Sequence, residues 1–347
     1  LNPRCSAADA SGPGRALLPG LALLLAGAMF LSLALGRYPL PPLEVAGFFF
    51  AQLGWHDLAP ERQALLHNLI VDIRLPRVLA AVLVGAALSI SGAAYQAVFR
   101  NPLVSPGLLG VLAGAASGAA LGLVYSGNWW IMQLAAFLMG GLAVLIGVGI
   151  AALFGGSVVM LVLGGIISGA LFAAILSLVK YVADPYNQLP AIVYWLMGSL
   201  ASADLKDIGR LAIPMLCGTL VLASLGRALD ALSMGDDEAR TLGVPVAFVR
   251  YGVIGAATLV SALTVSLAGM IGWVGLLVPH VARLLTGPGN ARLLPASACL
   301  GGIFLLLADG IARNLGTTEI PIGIVTELLG IPAFLLVLHR ARRGWVG

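Results

Sequence analysis

Charged side chains are scarce in this chain, at 10% of 347 residues, while 60% of the residues are hydrophobic. A soluble domain carries about 25% charged residues. So few charges could not cover a water-facing surface, and the same shortage excludes disorder, which needs high charge and low hydrophobicity. Lysine is rarer still, with only Lys180 and Lys206. Neither sits in a Gly-Lys-Ser/Thr run, so there is no P-loop and the chain is not expected to hydrolyse ATP. Cysteine is limited to Cys5, Cys217 and Cys299, without CxxC or Cys/His spacing, which argues against a disulfide framework or a metal site. None of His56, His67, His280 and His339 is followed by Glu, so no HExxH motif exists, and Gly165-Ile-Ile-Ser-Gly169 lacks the spacing of a nucleophile elbow. No basic run is interleaved with aromatics, so nucleic acid is not an expected partner. Arg340, Arg342 and Arg343 instead end an apolar segment and read as a membrane anchor.

Long apolar runs fill the space that charge leaves. The expected fold class is an all-α polytopic membrane protein of about ten transmembrane helices, at about 20 residues per crossing. The runs are 16–36, 74–98, 107–125, 129–153, 157–182, 209–226, 246–268, 273–286, 294–312 and 321–339. The first follows positive charge as a signal peptide would, but its length and its nine successors favour a retained helix. The eighth is short and interrupted by Pro279, which membranes tolerate only where protein or water satisfies the freed backbone groups. Residues 1–15 read as a disordered cytoplasmic tail, 16–340 as one transmembrane domain, and 341–347 as a second cytoplasmic tail. Ten crossings put both termini on one side, which then holds eleven of the 19 Lys and Arg residues. That bias predicts cytoplasmic termini.

Gly110, Gly114, Gly118 and Gly122 recur every fourth residue and predict a helix face closely approached by another helix. Two connections are long: 37–73, outside, and a cytoplasmic one within 228–244. The second has Asp236, Asp237 and Glu238 at an expected helix start and Gly243 at its end, matching the helix dipole and the left-handed C-terminal position. Leu229, Leu232 and Leu242 supply apolar anchors. A capped acidic helix on a basic face is more than a joint needs, and it predicts a docking element.

Several runs together resemble the permease subunits of type II ABC importers for iron–siderophores, haem and vitamin B12. They are Arg74-Leu-Pro-Arg77, Gly85 through Gly110, Trp195-Leu-Met-Gly-Ser199, the acidic 229–243 segment, Gly269 through Arg283, Leu305 through Arg313, and Glu319-Ile-Pro-Ile-Gly323. They stand in family order across about residues 70–340. The resemblance implies a homodimer with the substrate path along its axis, two cytoplasmic ATPase subunits holding ATP and magnesium, and a periplasmic or lipid-anchored binding protein. No cofactor is implied for this chain itself, and its expected place is the bacterial or archaeal cytoplasmic membrane. Residue by residue, it implies ATPase coupling through Gly235, Asp237, Glu238, Ala239, Leu242 and Gly243. Binding-protein docking falls to Arg74, Arg77 and Arg313, and a weakly polar path wall to Ser157, Gly164, Gly165, Ser168 and Gly169. The 157–199 stretch resembles relatives handling iron chelates, with molybdate or tungstate and cobalamin as alternatives. Ser105 and Glu327 depart from the family pattern, which often has an acid at the first position and a small or neutral residue at the second.

The rival from another class is an ion-coupled secondary transporter, which would need ionisable groups within the membrane, and Asp309 and Glu327 are the candidates. Asp309 is expected to pair with Arg313, one helical turn on. Glu327 has no such neighbour.

Overall fold

The computed structural model describes residues 14–55 and 58–343, so most of both expected tails, with Cys5 and His56, lies outside the described residues. Among the described residues there is helix and no strand. The helices are α1 (Gly14–Ala34), α2 (Pro42–Gln52), α3 (Pro60–His67), α4 (Leu75–Val98), α5 (Val111–Ser126), α6 (Trp129–Leu153), α7 (Val158–Val182) and α8 (Gln188–Leu196). They continue with α9 (Leu205–Ser224), α10 (Gly226–Met234), α11 (Asp236–Thr241), α12 (Val246–Ala268), α13 (Val274–Thr286), α14 (Asn290–Asn314) and α15 (Ile322–Arg343). A π-helical stretch, Asn68–Arg74, joins α3 to α4, and a 3₁₀ turn, Pro106–Leu109, precedes α5.

Each of the ten expected apolar runs coincides with a helix. Seven helical stretches are long and apolar enough to cross a membrane, while α5, α13 and Ile322–Val337 are shorter apolar helices. The expected runs 129–153 and 246–268 coincide with α6 and α12 to the residue. α9 begins four residues before the expected 209–226 run. The Asp204 carboxylate accepts the Lys206 amide at 2.6 Å and so caps a helix that begins at Leu205. Nor does the first helix wait for residue 16, since α1 begins at Gly14. The 37–73 connection, given no structure from sequence, holds α2, α3 and the π stretch.

α4 is the axis of the fold. It is buried along nearly its whole length and sheathed by α14, α12, α13 and α9. Such sheathing needs close backbones: a Cβ on Gly92 would lie 1.9 Å from the Gly275 carbonyl oxygen, and one on Gly85 would lie 2.2 Å from that of Gly301. The glycine ladder does the same between α5 and α6, where Gly114, Gly118 and Gly122 face Met139, Ala135 and Met132. Gly110 is not part of that helix face. It ends the 3₁₀ turn at φ +82.

Candidate functional site

One end of the bundle carries α10 and α11. Leu229, Ala231 and Leu232 bury α10, and Asp230 accepts the backbone and side-chain amides of Asn290 at 2.6 and 2.9 Å, tying it to the start of α14. Asp236 opens α11 and pairs with Arg250 of α12 at 2.6 Å and, at 3.6 Å, with Arg100 just past α4. The Arg250 guanidinium is the main reason the Asp236 carboxyl is held below the usual carboxylate range. Ala239 is fully buried beneath the helix. α11 ends in a paired bond pattern, with Val244 N–H donating to Ala239 at 3.0 Å and Gly243 N–H to Arg240 at 2.9 Å. Gly243 sits at φ +78, the left-handed position this motif requires. At the other end Gly235 is at φ +148, and a Cβ there would strike the Glu238 carboxylate, which folds back over it.

Of the six expected coupling residues, Asp237, Glu238, Leu242 and Gly243 are therefore presented to solvent, whereas Gly235 and Ala239 shape the helix from beneath. Met234, Leu242 and Phe248 are large apolar side chains exposed beside them. The resulting surface combines acids with greasy contacts and is held rigidly to α4, α12 and α14. Leu242, expected as an apolar anchor, points outward instead.

At the opposite end, three of the sequence runs named above meet. Arg77 of α4 donates to Asp309 of α14 at 2.6 Å and to Glu319 at 2.8 Å, and Arg313 lies 3.0 Å from Asp309. The expected Asp309–Arg313 pair thus exists, within a larger cluster. Arg313 also donates to Ser32 at 3.0 Å. Arg74 turns the other way, donating to the carbonyls of Leu33 at 2.5 Å and Ala34 at 3.0 Å, and to that of Tyr38. The last carbonyls of a helix have no partner within it, so α1 ends on this guanidinium.

Arg74, Arg77 and Arg313, the residues expected to dock a binding protein, are all buried in the isolated chain, and each braces the segments around it. Arg74 and Arg77 do not project together from one helix start. Arg74 ends a π stretch ahead of Pro76, whose missing amide breaks the regular ladder, and the two side chains diverge to α1 and α14. Glu319, from the Glu319–Gly323 run, is the fourth member of the cluster.

Beside the cluster a backbone junction joins two more segments to the one that follows Glu319. Ser199 N–H donates to Ala268 at 2.9 Å, Ile322 to Gly198 at 3.1 Å and Gly323 to Met197 at 3.1 Å. Gly269 and Gly198, both at positive φ, allow this approach. The chain then makes a tight turn at Gly272, whose carbonyl accepts the Val274 amide at 2.8 Å. Its central residue, Trp273, is held at φ +68, which is costly for a bulky side chain.

The residues of the expected path wall pack within the chain. Ser168 is fully buried, and its hydroxyl donates to the Ala143 carbonyl of α6 at 2.6 Å. Gly164 packs on Gly147, Gly165 on Leu108 and Leu109, and Gly169 on Gly110. These small residues face the chain's own interior because close helix contact is what small residues permit. Ser157 is exposed but caps α7, accepting the Met160 amide at 3.3 Å. The open face of α7 is instead Val159, Leu163, Ile166, Ile167 and Leu171, and α15 shows a matching stripe with Ile324, Leu328, Ile331 and Leu335. Glu327 interrupts that stripe. An ionised group at the centre of a span costs about 2.5–3.5 kcal/mol, so its carboxylate requires water or a partner. Among the described residues no group of His, Cys, Asp and Glu could hold a metal ion.

Comparison with known proteins agrees with this architecture. The profile of the FecCD transport family matches residues 23–340. The molybdate import system permease protein of Haemophilus influenzae is 37% identical over 329 residues, covering 94% of this chain and 96% of that one. A Helicobacter pylori protein named as a probable iron chelatin transport system permease is 40% identical, covering 83% and 87%. The vitamin B12 import system permease of Vibrio cholerae is 37% identical, covering 80% and 84%. A solved structure described as an inward-facing metal-chelate type ABC transporter superposes with a TM-score of 0.84 at 36% identity, covering 94% of this chain and 99% of that one.

Proposed function

The chain belongs to the FecCD transport family, as a multi-pass permease of the ABC type with the type II fold, and we propose that it passes an iron chelate from a binding protein to the cytoplasm. Two copies form the pathway, packing through the apolar stripes of α7 and α15, since closed two-fold symmetry is the commonest solution for identical subunits. Two ATPase subunits, which bind the nucleotide and its magnesium, dock on the α10–α11 surface, and both termini share that cytoplasmic side. The binding protein meets the opposite face, formed by the segments that Arg74, Arg77 and Arg313 brace.

The rigid attachment of α11 carries this reading. A helix that merely connected α10 to α12 would not need Asp236 locked to Arg250 and Arg100, nor Asp230 locked to α14. With those locks, a displacement of α11 is transmitted to α4, α12 and α14 together. The chelate is favoured by relatives and neighbours named for metal chelates; molybdate and cobalamin, after which other relatives are named, are the alternatives. Uptake by proteoliposomes containing the permease, its ATPase and its binding protein, offered ferric chelates, molybdate and cobalamin in parallel, tests the choice. Preferred chelate uptake is expected, and preferred uptake of either alternative would replace it.

A further inference from the structure

We propose that Glu327 lines the aqueous path between two copies of this chain and makes it negative, so that neutral and cationic chelates are admitted and oxyanions disfavoured. The inference rests on the importer reading above and names the substrate class within it.

Glu327 lies in the second turn of α15 and is exposed on the isolated chain. Among the described residues no Lys, Arg or His pairs with it. The exposed positions of α15 recur three and four apart, at Ile324, Glu327, Leu328, Ile331, Pro332, Leu335 and Leu336, which makes one continuous stripe. At 3.6 residues per turn, Leu335 falls near its centre and Glu327 at its margin. That margin faces Gly272: a Cβ built there would lie 3.8 Å from Glu327 Oε1. An apolar centre suits a second copy of α7 or α15. A bare carboxylate suits neither an apolar interface nor lipid. The margin must therefore open on water, and in a two-fold pair the water within the membrane is the path along the axis, where the carboxylate occurs twice. Paired or ringed carboxylates are a general means of favouring cations in a pore.

The adjoining turn supplies a second observation. Trp273 keeps its disfavoured φ of +68 while its ring packs edge-on against Phe334 with centroids 6.0 Å apart. A Cβ on Gly330 would lie 2.7 Å from the Trp273 Cβ, so only glycine lets α15 come this close. Strain of this kind persists where the surroundings over-determine it, and it concentrates at ligand clamps and switches. Here it fixes the backbone beside Glu327.

The test measures local charge rather than transport alone. In a chain with Cys5, Cys217 and Cys299 replaced by serine, Ile331→Cys puts a thiol one turn along the same side of α15. The assembled transporter in proteoliposomes is labelled with a cationic and an anionic methanethiosulfonate, each rate being normalised to that of a free thiol. The cationic-to-anionic ratio is expected to fall about tenfold in Glu327→Gln, the size of effect two like or opposite charges give at a few ångströms in a water-like dielectric, and to be retained in Glu327→Asp. A merely structural role would not move this ratio. An unchanged ratio in Glu327→Gln, or a thiol that no reagent reaches in any nucleotide state, overturns the proposal. ATP-dependent chelate uptake is measured in the same vesicles. Uptake with an unchanged ratio sinks the role of Glu327 alone, whereas absent uptake counts against the importer reading and leaves the ratio to decide Glu327.

Discussion

Arg77 and Asp309 stand 232 positions apart in the chain and meet at 2.6 Å, with the Asp309 carboxylate fully withdrawn from solvent. A charge pair this deep needs further partners to offset the cost of desolvation, and here Arg77 also donates to Glu319 at 2.8 Å while Arg313 lies 3.0 Å from the Asp309 carboxylate. Breaking a buried pair by deleting one partner costs about 3–5 kcal/mol, because a bare charge is left behind. Asp309→Leu should destabilise the protein by about that amount in denaturant unfolding in detergent micelles. Adding Arg313→Met should recover part of the loss, since Arg77 keeps Glu319. Equal stability of Asp309→Leu and the parent would mean that the cluster is not formed.

Arg74 is expected to behave differently from a docking residue. Arg74→Gln removes its bonds to the end of α1 and should cost about 1–3 kcal/mol, the usual penalty for leaving buried carbonyls unpaired. Its affinity for the binding protein, measured on folded material, should stay within about twofold, or under 0.5 kcal/mol. A large fall in affinity with unchanged stability would return Arg74 to the docking face.

Gly243 sits where a β-branched residue is strained. Gly243→Val should cost about 1–2 kcal/mol at the left-handed position and loosen the end of α11. Transport per ATP hydrolysed is expected to fall while the ATPase still co-purifies with the permease. Unchanged coupling with normal assembly contradicts the assignment of α11.

The Asp236 locks have a pH signature. Arg250 lowers the Asp236 carboxyl below its ordinary value, so the stabilisation is complete above about pH 3.9, the unfolded value, and is lost as the pH falls through the lowered folded value. Proteolysis or hydrogen exchange at 236–243 should therefore rise only below about pH 4. In Asp236→Asn, exchange should already be fast at neutral pH. Protection unaffected by that substitution would show that Asp236 does not hold the helix.

The helices, and the capped α11 with Gly243 at its end, were legible in the sequence because both are local: periodic apolarity, an acid-rich start and a glycine stop lie within a few residues of one another. The ring of contacts was not. Glu319 reaches Arg77 across 242 positions, and no spacing rule connects them. Arg74 and Arg77 are only three apart, but the π stretch ahead of Pro76 turns them to different partners. Ser168 and its neighbouring glycines read as a weakly polar wall, and small residues serve a close helix contact as readily as a conduit; the bond from Ser168 to Ala143 of α6 depends on where that helix lies, which no local spacing gives. A signal for the Asp236 anchor did exist: Arg250 is a lone charge near the start of an otherwise apolar helix, where it requires an acid nearby.

Energy coupling separates this account from its rival most directly. Permease, ATPase and binding protein are reconstituted in proteoliposomes, and chelate uptake is followed with ATP inside and with imposed proton or sodium gradients. The account predicts uptake that requires ATP and the ATPase subunit, is indifferent to either gradient, and is impaired by Gly243→Val. Uptake by the permease alone, driven by an ion gradient and insensitive to ATP, would contradict it.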